Sequence, residues 1–115
     1  MIERRKMPRR RPEIALQVGD AMTGEVVGHL GNLSIEGMML VAQVPIVEDG
    51  LYQLVFQLPD AYGRLHPIEV GAHELWSEAT NIRGHTWVGL RLIDISPDDE
   101  RLMRDWLKHA ESTPR

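Results

Sequence analysis

The amino-acid sequence predicts a small, mostly β domain: an antiparallel barrel or sandwich of five or six short strands, followed by one helix. Three observations support this fold class. Segments in which apolar and polar residues alternate are separated by turn residues, which is typical of antiparallel strands. The apolar period changes to that of a helix only near the C-terminus. The 115 residues, 43% of them hydrophobic, suffice for one domain with one core.

The first three predicted strands lie in the N-terminal half of the chain. Ile14, Leu16 and Val18 alternate with polar or small residues, which predicts a strand that ends in a turn at Gly19 and Asp20. Further runs rich in Val, Leu and Met predict a second and a third strand. These two strands occupy residues 23–30 and 38–42.

Three more strands are predicted in the C-terminal half. The fourth has the clearest alternation, because Leu54, Phe56 and Leu58 would share one face of an extended chain. Loops that contain Gly, Pro, Asp or Asn separate this strand from the fifth, and the fifth from the sixth. The three strands occupy residues 51–58, 68–76 and 86–93.

A C-terminal helix is predicted after the last strand. Ser96 can cap it, Pro97 fits its first position, and the acidic residues 98–100 favour its positive end. Ser96 and Asp99 have the spacing of a capping box, with Asp in place of the usual Glu or Gln. We expect the apolar stripe of this helix to cover one side or end of the β core. The stripe consists of Leu102, Met103, Trp106, Leu107 and Ala110.

Residues 1–12 are predicted to form a flexible basic arm in front of a domain that comprises residues 13–115. The arm contains two prolines, no apolar periodicity, six basic residues and one acidic residue, for a net charge of +5. The remaining residues carry a net charge of −9. A basic arm on an acidic body suits a small anion, whereas the body would repel a long nucleic acid. We therefore expect no nucleic-acid partner.

The arginines of the arm are suited to phosphate. Arg5 and Arg9 lie four residues apart, with Arg4 beside the first of them. The planar guanidinium group donates two parallel charged hydrogen bonds and also stacks on purine rings. An extended arm would separate Arg5 and Arg9 by about 13 Å, so they would reach different parts of one ligand. Pro8 disfavours the helix that would bring them to one face.

A second polar segment follows after 22 intervening residues. Asn32 and Ser34 are two positions apart, so their side chains project to the same side if the backbone is extended. The Asn amide has a donor and an acceptor for a base edge, and the Ser hydroxyl suits a phosphate or a base. Gly37 would supply a positive φ or permit close approach of the backbone to a ligand.

Together the two segments resemble the paired motifs of the PilZ domain family. Residues 4–9, RRKMPR, match the RRxxxR pattern of that family, and residues 32–37, NLSIEG, match its (D/N)xSxxG pattern. The order and separation of the motifs are also similar to PilZ. So are the later strands, through Trp76 and the WVGLRL segment at 87–92, and the terminal helix. The resemblance therefore covers nearly the whole chain.

The resemblance implies a six-stranded PilZ β-barrel that binds cyclic di-GMP, a bacterial second messenger with two phosphodiesters and two guanines. The arginines would contact phosphate and guanine, the Asn and Ser a guanine edge, and the Gly would shape the turn. Arg10 and Trp76 are two further candidates for ligand binding. Arg10 extends the basic run, and Trp76 would either stack near the ligand or pack against the protein. The implied ligand-binding residues are Arg4, Arg5, Arg9, Asn32, Ser34 and Gly37.

Other classes of function find little support in the sequence. The absence of Cys excludes thiolate metal sites and disulfides, and fits a reducing cytoplasm. His66 and His73 are seven residues apart, which puts them on opposite faces of a strand rather than around a metal. Ser34 has no acid or His in a diagnostic arrangement, and no P-loop or GGDEF or EAL signature is present. No apolar stretch approaches the roughly 20 residues that span a membrane.

We therefore expect a cytoplasmic cyclic di-GMP receptor, not an enzyme, without cofactor or metal and without membrane insertion. Ligand binding would neutralise the arginines and draw the arm across the barrel, and an unidentified effector protein would recognise the new surface. The alternative is a PilZ-fold interaction adaptor that does not bind cyclic di-GMP. A monomer or weak dimer is expected, and the sequence is compatible with one bound ligand or a stacked pair. Motility, pili, exopolysaccharide and virulence are all compatible outputs.

Overall fold

In the part of the chain that the structure describes, six antiparallel strands close into a barrel, and one helix follows them. A computed structural model of the chain describes residues 9–112, with side chains described up to residue 109. The six-stranded barrel with a C-terminal helix is therefore confirmed. The elements are β1 (Gln17–Asp20), β2 (Val26–Leu33), β3 (Gly37–Ala42), β4 (Leu51–Pro59), β5 (Leu65–Ala79), β6 (Thr86–Ile95) and α1 (Pro97–Ser112).

The strands are arranged around the barrel in the order β1, β2, β3, β6, β5, β4. The short strand β1 closes the barrel, because Gly19 and Asp20 pair with Val55 and Leu54 of β4. Each of the six described strands therefore has a neighbour on both sides, which is how a barrel protects the edges of its sheet.

The interior of the barrel is filled by the inward-facing residues of each strand. Leu54, Phe56 and Leu58 of β4 are buried, as their alternation predicts. Phe56 pairs across the sheet with Ile68 of β5, and Leu54 pairs with Val70. The core is continuous from the barrel to the helix, whose Met103, Trp106 and Leu107 belong to the same buried cluster.

One hydrogen bond caps the start of α1, and a second fixes this start to the barrel. The N–H of Asp99 donates to the Ser96 hydroxyl oxygen over 3.1 Å, which is the predicted cap. The Asp99 carboxylate accepts the N–H of Glu69 in β5, also over 3.1 Å. The helix then packs against β4 and β5, so the predicted covering of the core is confirmed. Of the apolar stripe, the side chain of Ala110 lies outside the described residues.

The first hairpin differs from the one that the sequence predicts. β1 begins at Gln17, and Ile14 is 70% exposed. Gly19 and Asp20, predicted as a turn, belong to the strand; the turn follows at residues 21–23 and ends at Gly24, whose φ is +79°. The predicted turn position is wrong because pairing with β4 draws these two residues into the sheet, and local turn propensity yields to that pairing.

Candidate functional site

One row of residues crosses four strands on the outer face of the barrel. Asn32 of β2 pairs with Met39 of β3, Met39 pairs with Gly89 of β6, and Gly89 pairs with Trp76 of β5. A Cβ atom at position 89 would overlap the indole of Trp76, so the ring lies directly over the glycine backbone. The row thus presents an amide at one end and a half-exposed indole, 45% accessible, at the other.

A β-bulge turns Asn32 to this outer face. The pairing of β2 with β3 shifts between Leu30 and Asn32, so Gly31 is the extra residue. Leu30 and Leu33 both face the core, although regular alternation would put residues 30 and 33 on opposite faces. Without the bulge, Asn32 would share the inward face of Leu30. The bulge is therefore what makes the amide available outside the barrel.

The last arginine of the first motif contacts the first residue of the second motif. Arg9 donates from Nη1 to Oδ1 of Asn32 over 2.7 Å, and both groups are at the surface. The structure thus brings together two of the residues that the sequence selects as ligand-binding. Arg4 and Arg5 lie outside the described residues.

Ser34 shapes the connection between β2 and β3. Its side chain is 2% exposed, and its hydroxyl oxygen accepts the N–H groups of Glu36 and Gly37 over 3.3 and 3.2 Å. The hydroxyl also donates to the carbonyl oxygen of Gly37. Ser34 follows the last residue of β2, so the extended geometry that would align it with Asn32 ends one residue earlier. Its polar atoms bond to the turn itself.

Gly37 permits two strands to approach closely. It pairs with Arg91 of β6, and a Cβ atom at position 37 would lie 2.6 Å from the carbonyl oxygen of Leu90. Its φ is not positive. Of the two roles that the sequence allows for this glycine, close backbone approach applies, and here the neighbour is the backbone of β6.

Arg10 extends to the opposite side of the chain from Arg9. Its backbone exchanges two hydrogen bonds of 2.9 Å with Leu33, next to Asn32. Its guanidinium carbon lies 4.1 Å from the centre of the Trp106 ring, and Nη1 donates to the Trp106 carbonyl oxygen over 2.6 Å. Arg10 therefore connects the end of β2 to α1. It also lines a cleft of about 480 Å³ between α1 and the β4–β5 loop.

Two clefts meet at Arg9 on the outer face. One, of about 220 Å³, is lined by Asn32, Trp76 and Gly89, among others, and combines an amide with an aromatic surface. The other, of about 560 Å³, is lined by Glu36 and Arg91, among others, and is more polar. Arg9 lines both. The arrangement can accept a planar group in the first cleft and an anionic group in the second.

Two His–Asp pairs lie outside these clefts. His66 contacts Asp60 over 2.8 Å, and His73 contacts Asp49 over 2.5 Å. The hydrogen bond from His66 lowers the pKa of Asp60 below its ordinary value; burial opposes this, and the N–H groups of Arg64 and Tyr62 add to it. Within residues 9–109, no three side chains are grouped as metal ligands. The described helix is neither long nor apolar enough to cross a membrane.

A closed six-stranded barrel with a terminal helix, on which an arginine segment meets the NLSIEG segment, is the architecture of a PilZ domain. A PilZ-domain family model matches residues 3–109. The chain therefore belongs to the PilZ family, whose domains are cyclic di-GMP receptors and adaptors. Comparison with curated proteins gave no match.

Solved structures of PilZ proteins have the same fold. The Bacillus subtilis inhibitor of motility, MotI/DgrA, superimposes with a TM-score of 0.76 at 17% identity, covering 98% of this chain and 54% of its own. The PilZ domain of YcgR from Escherichia coli, solved with c-di-GMP, gives 0.69 at 18% identity, covering 96% and 93%. MrkH from K. pneumonia in its apo state gives 0.68 at 19% identity, covering 96% and 55%. The chain thus spans about half the length of MotI/DgrA and MrkH.

Proposed function

We propose that this chain is a cyclic di-GMP receptor whose ligand lies on the outer face of the barrel at Arg9, Asn32 and Trp76. The contact between Arg9 and Asn32 carries the proposal, because it joins the two PilZ motifs beside an exposed indole. Arg4 and Arg5 would add phosphate contacts from the arm. Guanine is planar and has N–H donors on its edge, so it fits an indole face with an amide oxygen nearby.

Binding would exchange one hydrogen bond for several. In the structure the Asn32 oxygen accepts from Arg9. A guanine N–H would replace Arg9 at that oxygen, and the released guanidinium would bond to a phosphodiester, whose two non-bridging oxygens share one negative charge. The arm would then close over the ligand. An effector protein that recognises the arm together with the ligand would receive the signal.

Ser34 and Gly37 would act by positioning the site. The hydroxyl of Ser34 holds the turn after Asn32, and Gly37 lets β3 approach β6. Any contact of Ser34 with guanine would require the hydroxyl to leave the turn. For Arg10, the contact with Trp106 favours an anchoring role for the arm over a ligand contact.

Calorimetric titration with cyclic di-GMP tests the proposal, with cyclic di-AMP and GTP as controls. We expect saturable binding of cyclic di-GMP and at least about tenfold weaker binding of both controls. Asn32→Ala should lower the affinity for cyclic di-GMP by about 10-fold, because a hydrogen bond to the guanine edge is lost in a partly desolvated cleft. Absence of binding to the full chain would leave the interaction adaptor as the function.

A further inference from the structure

The more polar of the two clefts at Arg9 contains a second arginine that belongs to neither the RRxxxR nor the NLSIEG motif. Arg91 of β6 lines this cleft together with Arg9, Glu36, Gly37 and Leu75. From the sequence, Arg91 is predicted only to belong to the sixth strand. The structure brings it to the edge of the NLSIEG segment, 54 residues away from Gly37 along the chain.

The backbone of Arg91 is fixed from two sides. Its Cα atom is paired with Gly37 across the β3–β6 ladder and with His73 across the β5–β6 ladder. The N–H of the next residue, Leu92, donates to the carbonyl oxygen of Glu36 over 2.8 Å. The base of the Arg91 side chain is therefore held against the turn of the second motif. A ligand at that turn would meet Arg91 without any rearrangement of the backbone.

The guanidinium group of Arg91 is available for a ligand. The side chain is exposed, and among residues 9–109 it forms no hydrogen bond or ion pair. Arg101 and Arg104 on α1 differ, because they pair with Asp98 and Glu100 over 3.0 and 2.9 Å. An unpaired arginine on a rigid strand binds an anion with little loss of backbone order and with no ion pair to break first.

The two clefts divide the chemistry of a nucleotide between them. The cleft at Asn32 and Trp76 combines an amide with an aromatic surface and suits a base. The cleft at Arg9 and Arg91 offers two guanidinium groups and suits a phosphate. We propose that Arg91 is an additional phosphate-binding residue that acts with Arg9 on one phosphodiester of the cyclic dinucleotide. This inference rests on the proposed function.

Calorimetric titration with cyclic di-GMP tests the assignment in two main variants. One removes a positive charge from the cleft, and the other removes a negative charge. Arg91→Ala should weaken binding at least about 10-fold, the effect of one charge-assisted hydrogen bond, and Arg91→Lys should restore part of it. Glu36→Gln should strengthen binding about two- to fivefold, because it removes the carboxylate that lines the same cleft and repels phosphate. Arg83→Ala, an exposed arginine at the far end of the β5–β6 hairpin, is the matched control and should bind like the wild type.

The outcomes separate the two proposals. If the wild type does not bind cyclic di-GMP, the proposed function fails. If the wild type binds and Arg91→Ala binds equally well, the function stands and the assignment of Arg91 is overturned. Equal weakening in Arg91→Ala and Arg83→Ala would also overturn it, since it would indicate a general effect of net charge. An unchanged unfolding midpoint in Arg91→Ala is expected and excludes loss of fold as the cause.

Discussion

Arg9 and Arg10 are neighbours in the sequence, yet their side chains contact opposite parts of the molecule. Arg9 donates to Asn32 on the outer face of the barrel, where its guanidinium group is exposed. Arg10 is partly buried against Trp106 of α1 and bonds to the carbonyl oxygen of that residue. The first contact is a single hydrogen bond at the surface, whereas the second combines a hydrogen bond with a ring contact.

The backbone explains this division. Arg10 pairs with Leu33 like a residue in a strand, and successive side chains of an extended chain project to opposite sides. One arginine is therefore directed to the outer face at Asn32 and the next to the helix. A basic run that looks uniform in sequence thus contains a residue suited to recognition beside a residue suited to anchoring. Arg10 is consequently a fixed attachment point of the chain immediately next to Asn32.

The surroundings of Arg10 and of Arg9 each contain a tryptophan, and the largest expected difference lies between these two residues. Trp106 is 5% exposed within the core, so Trp106→Ala should lower the free energy of unfolding by about 3–5 kcal/mol. Trp76 lies on Gly89 at the surface, and Trp76→Ala should cost about 1 kcal/mol or less, because about half of the ring surface is already in water. Urea denaturation of both variants measures this. Similar losses in the two variants would contradict the division into a helix region, around Arg10 and Trp106, and an outer face, around Arg9 and Trp76.

The next effect concerns binding at Arg9. Arg9→Ala should weaken cyclic di-GMP binding by about 10- to 150-fold, the equivalent of about 1.5–3 kcal/mol for a charge-assisted hydrogen bond. Its unfolding free energy should change by less than about 0.5 kcal/mol, since the side chain is at the surface. Titration of this variant beside Arg83→Ala isolates the effect of position from that of charge. An affinity equal to that of the control would remove Arg9 from the site.

Arg10 should show the reverse pattern. Arg10→Ala should lower the free energy of unfolding by about 1–2 kcal/mol, because both the cation–π contact and the bond to the Trp106 carbonyl are lost. Its affinity for cyclic di-GMP should fall less than that of Arg9→Ala. Arg10→Lys should recover part of the stability, since an ammonium also attracts the ring. If Arg10→Ala instead loses affinity and no stability, Arg10 belongs to the ligand site.

The fold was predictable because its signals are local. Alternation of the kind seen at Leu54, Phe56 and Leu58 follows from the geometry of a strand, and the cap at Ser96 depends only on the residues that follow it. The two motifs likewise select Arg9 and Asn32 for one site from the sequence alone, and these two side chains are in contact.

The rest depends on contacts that local sequence does not encode. The contact of Arg10 with Trp106 joins residues 96 positions apart, and the bulge at Gly31 is set by the register with β3. Arg91 reaches the more polar cleft at Arg9 only because β6 pairs with β3 at Gly37. Residues such as these acquire a role through sheet topology. The sequence motifs can therefore identify the residues of the arm and of the NLSIEG segment, but not the residue that the neighbouring strand β6 adds to the cleft.

The smallest expected effect is a pH dependence confined to the helix region. Asp60, in the loop beside α1, has a pKa held below its ordinary value of 3.8, chiefly by the hydrogen bond from His66. A carboxyl whose pKa is lower in the folded state stabilises the protein above its unfolded pKa, and this contribution is lost as the pH falls through the folded pKa. The wild type should therefore lose stability below about pH 4.

Asp60→Asn removes that titration and should flatten the decline. The unfolding free energies of the wild type and the variant should therefore converge as the pH is lowered from about 6 to about 3. Cyclic di-GMP affinity at neutral pH should be the same in both proteins, because Asp60 lines the cleft at α1 and neither cleft at Arg9. A constant difference between the two unfolding free energies over this range would show that the Asp60 carboxylate contributes nothing to the pH dependence. A loss of affinity in Asp60→Asn would show that the helix region is coupled to the outer face at Arg9. The contact of Arg10 with Trp106 is the connection through which that coupling would act.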